Sequence, residues 1–337
     1  MTTIRYPWET PPENGEMIEI AEGVHWLRLP LPMKLDHVNI YVLDDGDGWT
    51  LIDTGMKSRR VQAMWQAVLD GPLRGKPVKR VVATHHHPDH IGFHGWFVEE
   101  FGAEYVSTQV AYLMGRMLTM DIQERYTEGQ IEFYRRAGMR ADLLAARQDE
   151  RPFNFSDIVH PIPIGFTRIE EGDVIEMGGR SWDVRVDHGH APDHATFWSR
   201  DDNLVLCGDQ VIASISSNIG VYPTEPDANP LADWLDSCAR LQNFARADHL
   251  ALPGHKLPFV GMPLRLRQLE ENHHGALTRL RADLKTPKTA GEVMMAVFKR
   301  QIGDGEYGLG LVEALAHCNY LWHAGEVTRS LHQDGAY

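Results

Sequence analysis

The segment 81-VVATHHHPDHIG-92 contains the strongest chemical signal in this 337-residue chain. Its β-branched apolar start predicts a buried strand that ends at Thr84. Four candidate ligands then follow within six residues: His85, His87, Asp89 and His90. Alternate side chains at a strand end can point at one metal ion, and a turn through Pro88 directs the last two at a neighbouring ion. Imidazole and carboxylate suit zinc, or iron and manganese. The alternative is a surface histidine cluster or a single structural zinc site.

The chain before this segment shows strand and turn signals in alternation. The predicted strands are Val24–Leu29, Val38–Leu43, Thr50–Ile52 and Val78–Ala83. Between the last two, apolar residues recur at three- and four-residue spacing from Val61 to Leu69, which predicts a helix. A hairpin followed by a βαβ unit predicts an α/β protein with a mixed sheet covered by helices.

Helical and strand patterns also alternate after the histidine segment. Residues 107–148 show helical spacing rich in methionine and tyrosine. This helical insert is interpreted either as two amphipathic helices packed on the domain or as a lid with an adaptable apolar wall. Further strands are predicted at Ile169–Ile175, Ser181–Asp187, Thr196–Trp198 and Leu204–Leu206.

The composition changes after Pro263, where three helices are predicted. The first covers 264–284, the second begins near Thr289 with Glu292 completing a capping box, and the third covers Leu309–His323. We therefore expect a catalytic domain at 1–262 and a smaller domain at 263–337.

Composition indicates a globular enzyme. The formal net charge of −14 disfavours nucleic acid as a partner, because phosphate backbones require basic surfaces. The three cysteines form no disulfide framework or metal-binding CxxC pair, and no apolar run is long enough to cross a membrane. With no signal-peptide pattern at the N-terminus, a cytoplasmic location is expected.

Four more motifs fall in a fixed order around the histidine segment. They are Asp53-Thr54-Gly55, His188-Gly-His-Ala-Pro-Asp-His194, Gly208-Asp209 and Gly254-His255. Together with 85–90 they resemble the metallo-β-lactamase superfamily. The resemblance implies an αββα sandwich that carries a helical insert. The sequence departs from the family pattern at Asp193, where glycine is usual.

The resemblance also implies the roles of the site residues. One metal ion would be held by His85, His87 and His190, the other by Asp89, His90 and His255, and Asp209 would bridge them. Asp53 would orient a ligand. His194 would be structural and not a ligand. The ions would be two divalent metals, zinc in the first instance, with iron or manganese as alternatives.

The implied reaction is hydrolysis of a small carbonyl substrate by a hydroxide that bridges the metals, with Asp89 and Asp209 as the catalytic carboxylates. His87 stands where the diiron flavoproteins of this superfamily carry glutamate, and β-lactamases lack a bridging carboxylate at the position of Asp209. A thioester or ester is therefore expected, with lactone opening as the alternative. β-Lactam hydrolysis and nucleic-acid cleavage are disfavoured. Tyr222, in the segment 214–224, is a candidate pocket residue.

The C-terminal region resembles a small winged-helix-like domain that accompanies many superfamily hydrolases. The matching pattern is Thr289-Ala-Gly-Glu-Val293, followed by Glu313-Ala-Leu-Ala-His317. Because few basic residues cluster there, we expect a role in packing or in forming a homodimer and not in binding DNA.

Overall fold

The computed structural model describes residues 3–332 and 335–337. Two β-sheets face each other, and helices cover the outer face of each. The first sheet contains β1 (Met17–Ala21), β2 (Val24–Pro30), β3 (His37–Asp44), β4 (Trp49–Ile52), β5 (Val78–Val82), β6 (Glu104–Ser107) and β7 (Thr167–Arg168). Its strands lie in chain order, antiparallel from β1 to β4 and parallel from β4 to β7.

The second sheet has six strands. They are β8 (Val174–Met177), β9 (Arg180–Asp187), β10 (His194–Ser199), β11 (Leu204–Gly208), β12 (Leu250–Pro253) and β13 (Phe259–Val260). These strands also lie in chain order across the sheet, and only β11 and β12 pair in parallel. The parallel pair needs a crossover, and a long amphipathic helix between residues 208 and 250 provides it.

Eleven helices fill the two outer layers and the C-terminal region. They are α1 (Arg59–Asp70), α2 (Pro88–Ile91), α3 (His94–Phe101), α4 (Gln109–Met120), α5 (Glu128–Arg136), α6 (Ala141–Asp149), α7 (Phe155–Ile158), α8 (Pro230–Gln242), α9 (Met262–Asp283), α10 (Met294–Phe298) and α11 (Asp304–His323). The crossover helix is α8. These counts apply to the residues that the structure describes.

Apolar side chains from both sheets form the central layer. Trp26 and Tyr41 of the first sheet pack in one cluster with Trp182, Phe197 and other residues of the second. The opposite face of the first sheet packs on α1 and α3, where the rings of Trp65 and Phe97 lie 4.9 Å apart. The predicted αββα sandwich is therefore confirmed.

The C-terminal helices share a core with the outer layer of the second sheet. Trp234 of α8, Leu277 of α9 and Leu311 of α11 are fully buried in one cluster. Helix α9 begins at Met262, close to the predicted boundary, which itself stays a prediction. The C-terminal region is helical as expected, and its described residues after Val260 form no strand that could serve as a wing.

The structure differs from three local predictions. Residues 169–173 are not a strand, because Gly172 adopts φ 88 in a turn that separates β7 from β8. The insert contains three helices and not two, since the chain leaves the helical conformation twice, between Asp121 and Thr127 and again between Ala137 and Arg140. The capping box of Thr289 and Glu292 forms in both directions, but it closes a turn that precedes α10.

Two backbone contacts join the sheets at the edge where the sequence motifs converge. The N–H of Ala195 donates to the carbonyl of Thr84 at 2.7 Å, and the N–H of Asn39 donates to that of Gly254, also at 2.7 Å. The Asn39 amide then donates to the carbonyls of Pro253 and Lys256. These bonds fix the loop after β12 against the first sheet. No helix among the described residues has the length and apolar character needed to cross a membrane.

Candidate metal centre

The candidate ligands come from strand ends that meet at one edge of the sandwich. β5 leads to the segment 85–90, and the loop between β9 and β10 carries His190. Asp209 follows β11, and His255 follows β12. Because these strand ends meet at the same edge of the two sheets, residues up to 170 positions apart in sequence approach one another. The structure brings all seven sequence-predicted ligands into one cluster, and their role as ligands stays a prediction.

The first group consists of His85, His87 and His190, whose nearest nitrogens all lie within 4.8 Å of one another. Nδ1 of His85 donates to the hydroxyl of Thr84 at 3.0 Å, so that its Nε2 presents a lone pair to Nδ1 of His87, 3.0 Å away. Burial and the neighbouring imidazoles hold the pKa values of His85 and His87 well below the usual range. Both rings are therefore neutral, as metal ligation requires.

The second group consists of Asp89, His90 and His255, again within 4.8 Å. Oδ2 of Asp89 lies 3.7 Å from Nε2 of His90 and 3.4 Å from Nε2 of His255. Asp209 lies between the two groups. Its Oδ2 is 3.5 Å from Nε2 of both His90 and His190 and 3.1 Å from Nε2 of His255. One carboxylate oxygen is thus shared by histidines from both groups.

Each of three histidines donates its Nδ1–H to a fixed oxygen and so presents Nε2 to the cluster. His90 donates to Oδ2 of Asp53 at 2.7 Å. His190 donates to the carbonyl of Asn218 at 2.8 Å, and His255 to that of His37 at 2.7 Å. Such partners fix the ring orientation and the tautomer of a metal ligand.

The carboxylates make the second group strongly attractive to cations. Burial opposes protonation of His90, but Asp209, Asp89 and Asp53 outweigh it and raise its pKa well above the usual range. Burial also opposes protonation of His255, but Asp209 and Asp89 outweigh it and raise the pKa of His255 to about 9. Burial also opposes the ionisation of Asp209, yet the nearby His255 and His90 hold its pKa well below the usual range.

Several buried polar atoms of the cluster have no hydrogen-bond partner in the protein: Nε2 of His90, Nε2 of His190 and Oδ1 of Asp209. Buried polar atoms normally have partners, because leaving one unpaired costs roughly 1–3 kcal/mol. All three are potential metal-binding atoms, and all three belong to the candidate ligands. The donor set of imidazoles and carboxylates therefore fits two divalent cations such as zinc, iron or manganese.

Two glycines allow the backbone to approach the cluster. A Cβ at Gly254 would lie 2.4 Å from Oδ1 of Asp209 and 2.8 Å from Cε1 of His90. Gly208 adopts φ 47, and a Cβ there would lie 2.6 Å from the His194 ring. These contacts explain why glycine precedes both Asp209 and His255 in the sequence motifs.

His194 lies beside the cluster but faces the backbone. Its Nε2 accepts a hydrogen bond from the N–H of Asp209 at 2.9 Å, and its ring stacks on His85 with centroids 4.7 Å apart. Among the described residues, the groups that could hold a metal ion do not include it. The structural role that the resemblance implies for His194 stays a prediction.

Tyr222 lies outside the ligand cluster. The residue is 42% exposed overall, and its Cζ and hydroxyl lie 3.0 Å from the place of a Cβ on Gly220. Burial of its hydroxyl raises the pKa of Tyr222 to about 12, and the neighbouring Tyr134 and Glu313 add to the shift. The role of Tyr222 in a substrate pocket stays a prediction.

The sequence analysis assigned no role at the site to two residues of this region, Asn218 and Glu313. The carbonyl of Asn218 accepts from His190, and its side-chain amide donates to the carboxyl group of Glu313 at 2.8 Å. Burial raises the pKa of Glu313 to about 8. The only signal in the sequence is a single acidic residue within the apolar run 309-LGLVEALA-316.

The comparisons with known proteins agree with this geometry. The Metallo-beta-lactamase superfamily model matches residues 33–255, and the model of the Metallo-beta-lactamase-like C-terminal domain matches 277–337. The chain is similar to the Probable metallo-hydrolase YqjP of Bacillus subtilis, with 26% identity over 307 residues, which cover 89% of this chain and 92% of that protein.

Two solved structures share the whole architecture. A beta-lactamase domain protein from Burkholderia ambifaria is 35% identical with a TM-score of 0.90, covering 99% of this chain and 96% of the other. The metallo-beta-lactamase family protein TTHA1429 from Thermus thermophilus is 28% identical with a TM-score of 0.78, covering 93% and 97%. On the strength of the family model, the shared fold and the ordered motifs, this chain belongs to the metallo-beta-lactamase superfamily.

Proposed function

We propose that this protein is a hydrolase that depends on two divalent metal ions and cleaves an ester or a thioester. The observation that carries the proposal is the position of Asp209. Its Oδ2 lies within 3.5 Å of Nε2 of three histidines, which belong to two different groups of candidate ligands. A single carboxylate shared in this way suits a pair of ions better than one structural ion.

The name of a relative supports the assignment to hydrolases. The similar protein from Bacillus subtilis, which aligns with nearly the whole of this chain, is called a probable metallo-hydrolase. The ligand set gives the same result from chemistry alone, because imidazoles and carboxylates around paired ions are typical of metal-assisted hydrolysis.

Two ions held by the candidate ligands would supply Lewis acidity towards a carbonyl oxygen and would lower the pKa of a nearby water molecule. The protein's contribution is orientation and charge. Asp53 and the carbonyl groups of Asn218 and His37 fix three imidazole rings, so little reorganisation is needed during the reaction. Asp89, whose side chain is 18% exposed, is the carboxylate of the cluster that can exchange a proton with the substrate side.

The thiols of the protein do not offer a competing nucleophile. Cys207 and Cys238 are fully buried, and burial raises the pKa of each thiol far above neutrality. Burial also raises the pKa of Cys318 to about 12. A protonated, enclosed thiol is a poor nucleophile, so covalent catalysis by cysteine is disfavoured.

The test compares substrates that share an acyl chain. The zinc- or manganese-loaded protein is assayed with an acyl thioester, the matching oxygen ester and a lactone of equal chain length. We expect metal-dependent cleavage of the thioester or ester to exceed lactone opening in kcat/KM. Faster lactone opening would transfer the protein to the lactonase branch, and no cleavage of any of the three would refute the proposal.

A further inference from the structure

Arg147 of α6 occupies an unusual place in the insert. Its guanidinium lies between two aromatic rings, 5.2 Å from the centroid of Tyr126 and 4.4 Å from that of Tyr134. Nη1 donates a hydrogen bond to the hydroxyl of Tyr126. The two rings hold the cation in a fixed orientation through cation–π contacts. Arg147, Tyr126 and Tyr134 are called the arginine clamp below.

Among the residues that the structure describes, no anion balances the charge of the clamp. Within residues 3–332 and 335–337, no carboxylate forms an ion pair with the Arg147 guanidinium, and its Nε is buried without a hydrogen-bond partner. Other arginines nearby differ. Arg140 pairs with Asp142 and Asp304, and Arg151 pairs with Asp157. A partly buried guanidinium without a carboxylate partner is an incomplete site for a carboxylate or phosphate.

The clamp adjoins the same wall that supports the metal centre. Nη2 of Arg147 lies 3.4 Å from the place of a Cβ on Gly308, in the second turn of α11. The next residue, Leu309, accepts a hydrogen bond at its carbonyl from the amide of Asn218, whose own carbonyl orients His190. Arg147 therefore lies against α11 one residue from the carbonyl that binds Asn218, and Asn218 orients a candidate metal ligand.

Tyr222 lies along the same wall. The N–H of Val221, the residue before Tyr222, donates to the carbonyl of Val312 in α11 at 3.2 Å, so Tyr222 lies beside that helix. Leu309 of the same helix is 55% exposed and offers an apolar surface. Helix α11 thus carries an exposed apolar side chain next to its contacts with Arg147 and Asn218.

We propose that the arginine clamp binds an anionic group of the substrate, a carboxylate or a phosphate, while the scissile carbonyl group lies at the metal centre. This inference rests on the proposed hydrolase function and narrows its substrate class to anionic esters and thioesters. The net charge of −14 strengthens the argument, because a protein of that charge needs a dedicated cation to attract an anionic substrate. The planar guanidinium can bind such a group through two parallel hydrogen bonds.

A direct test measures ligand binding to the metal-loaded protein by calorimetric titration. The probes are glutarate, adipate and pimelate, each compared with its monomethyl ester. Each compound has at least one carboxylate that can bind at the metals. The two members of a pair differ only at the other end, which is a carboxylate in the diacid and a neutral methyl ester in the monoester. The proteins are the wild type, Arg147→Gln, Arg147→Lys and the control Arg151→Gln, which removes an arginine already paired with Asp157. Circular dichroism and thermal unfolding check that each variant folds.

The wild type should bind at least one diacid tenfold or more tightly than its monomethyl ester. Arg147→Gln should abolish this preference, Arg147→Lys should retain part of it, and Arg151→Gln should match the wild type. Equal binding of diacid and monoester by the wild type at all three lengths would overturn the proposal. A preference that survives in folded Arg147→Gln would also overturn it.

An activity assay separates this inference from the proposed function. Its substrates are the mono-4-nitrophenyl esters of the three diacids, which are anionic, and the 4-nitrophenyl esters of their monomethyl esters, which are neutral. The ratio of kcat/KM between anionic and neutral esters should fall at least tenfold in Arg147→Gln, mainly through KM. If no ester is cleaved but the titration shows the preference, the hydrolase proposal fails and the clamp stands. If the wild type cleaves both kinds of ester without discrimination and binds both kinds of acid equally, the hydrolase stands and the clamp fails.

Discussion

Oδ2 of Asp53 lies 2.7 Å from Nδ1 of His90, although 37 residues separate them. Asp53 follows β4 and adopts φ 61, in the left-handed region that non-glycine residues rarely occupy. This conformation turns the carboxylate towards the end of β5, where it also accepts hydrogen bonds from the N–H and hydroxyl of Thr84. Because Thr84 accepts from His85, one carboxylate orients a ring in each candidate ligand group.

The Asp53→Asn variant should bind metal at least tenfold more weakly than the wild type, because the ring of His90 loses its charged partner. Competition with a chromogenic chelator measures the affinity. The control is Asp45→Asn, since that carboxylate serves a surface turn by accepting from Thr50 and Gly178. Unchanged affinity in folded Asp53→Asn would show that Asp53 does not orient the site.

The His194→Ala variant should lose stability more than metal. Its ring accepts the N–H of Asp209 inside the protein, and leaving that donor unpaired costs roughly 1–3 kcal/mol. Urea unfolding gives the stability, and elemental analysis gives the metal content. His188→Ala is the matched control, because His188 is an exposed histidine of the same loop. Loss of a full equivalent of metal at unchanged stability would instead identify His194 as a ligand.

Glu313 should make stability depend on pH. Burial raises the pKa of its carboxyl group from 4.5 to about 8 in the folded protein. Between those values the unfolded chain releases the proton while the folded protein retains it, so stability falls as pH rises from about 4.5 to about 8 and then levels off.

The measurement is the midpoint of urea unfolding at intervals from pH 5 to 9. Glu313→Gln should show a smaller decline than the wild type, because glutamine does not ionise and can still bond with Asn218. Glu326→Gln provides a control at an exposed acid that pairs with Arg281. Parallel pH curves for Glu313→Gln and the wild type would contradict the assignment of a raised pKa to Glu313.

Removal of metal should destabilise the protein. A metal ion that binds the folded cluster and not the unfolded chain adds about 2.7 kcal/mol of stability at about 100 times its Kd. Dialysis against a chelator should therefore lower Tm, and returning zinc should restore it. Elemental analysis shows whether the metal has been removed. If it has and Tm is unchanged, the prediction of a tightly bound centre is contradicted.

The central part of the site could be predicted from sequence because its signals are local. The apolar run before Thr84 predicts β5, and the strand places the histidine segment at its end. Gly208 and Gly254 mark places where the backbone must approach other ligands closely, so their motifs carry structural information as well as chemical information. The mixed character of the first sheet followed from the same kind of local strand signal.

The supporting contacts could not be predicted, because they depend on tertiary packing. The carbonyl groups of Asn218 and His37 orient candidate ligands. Because every residue has a carbonyl group, the sequence carries no signal for this role. Arg147 illustrates a misleading local signal. Glu150, three residues later, would suggest a helical ion pair, but α6 ends at Asp149 and Glu150 continues in an extended conformation. The guanidinium therefore turns to the tyrosines.

The most direct test of the central claim measures metal content and hydrolysis together in Asp209→Asn. Asp209 supplies the oxygen shared by both ligand groups, so this nearly isosteric variant should lose one or both metal equivalents and at least a hundredfold in kcat/KM. The exposed Asp248→Asn variant should retain two metals and full activity. Two tightly bound metals and full activity in folded Asp209→Asn would contradict the dinuclear hydrolase.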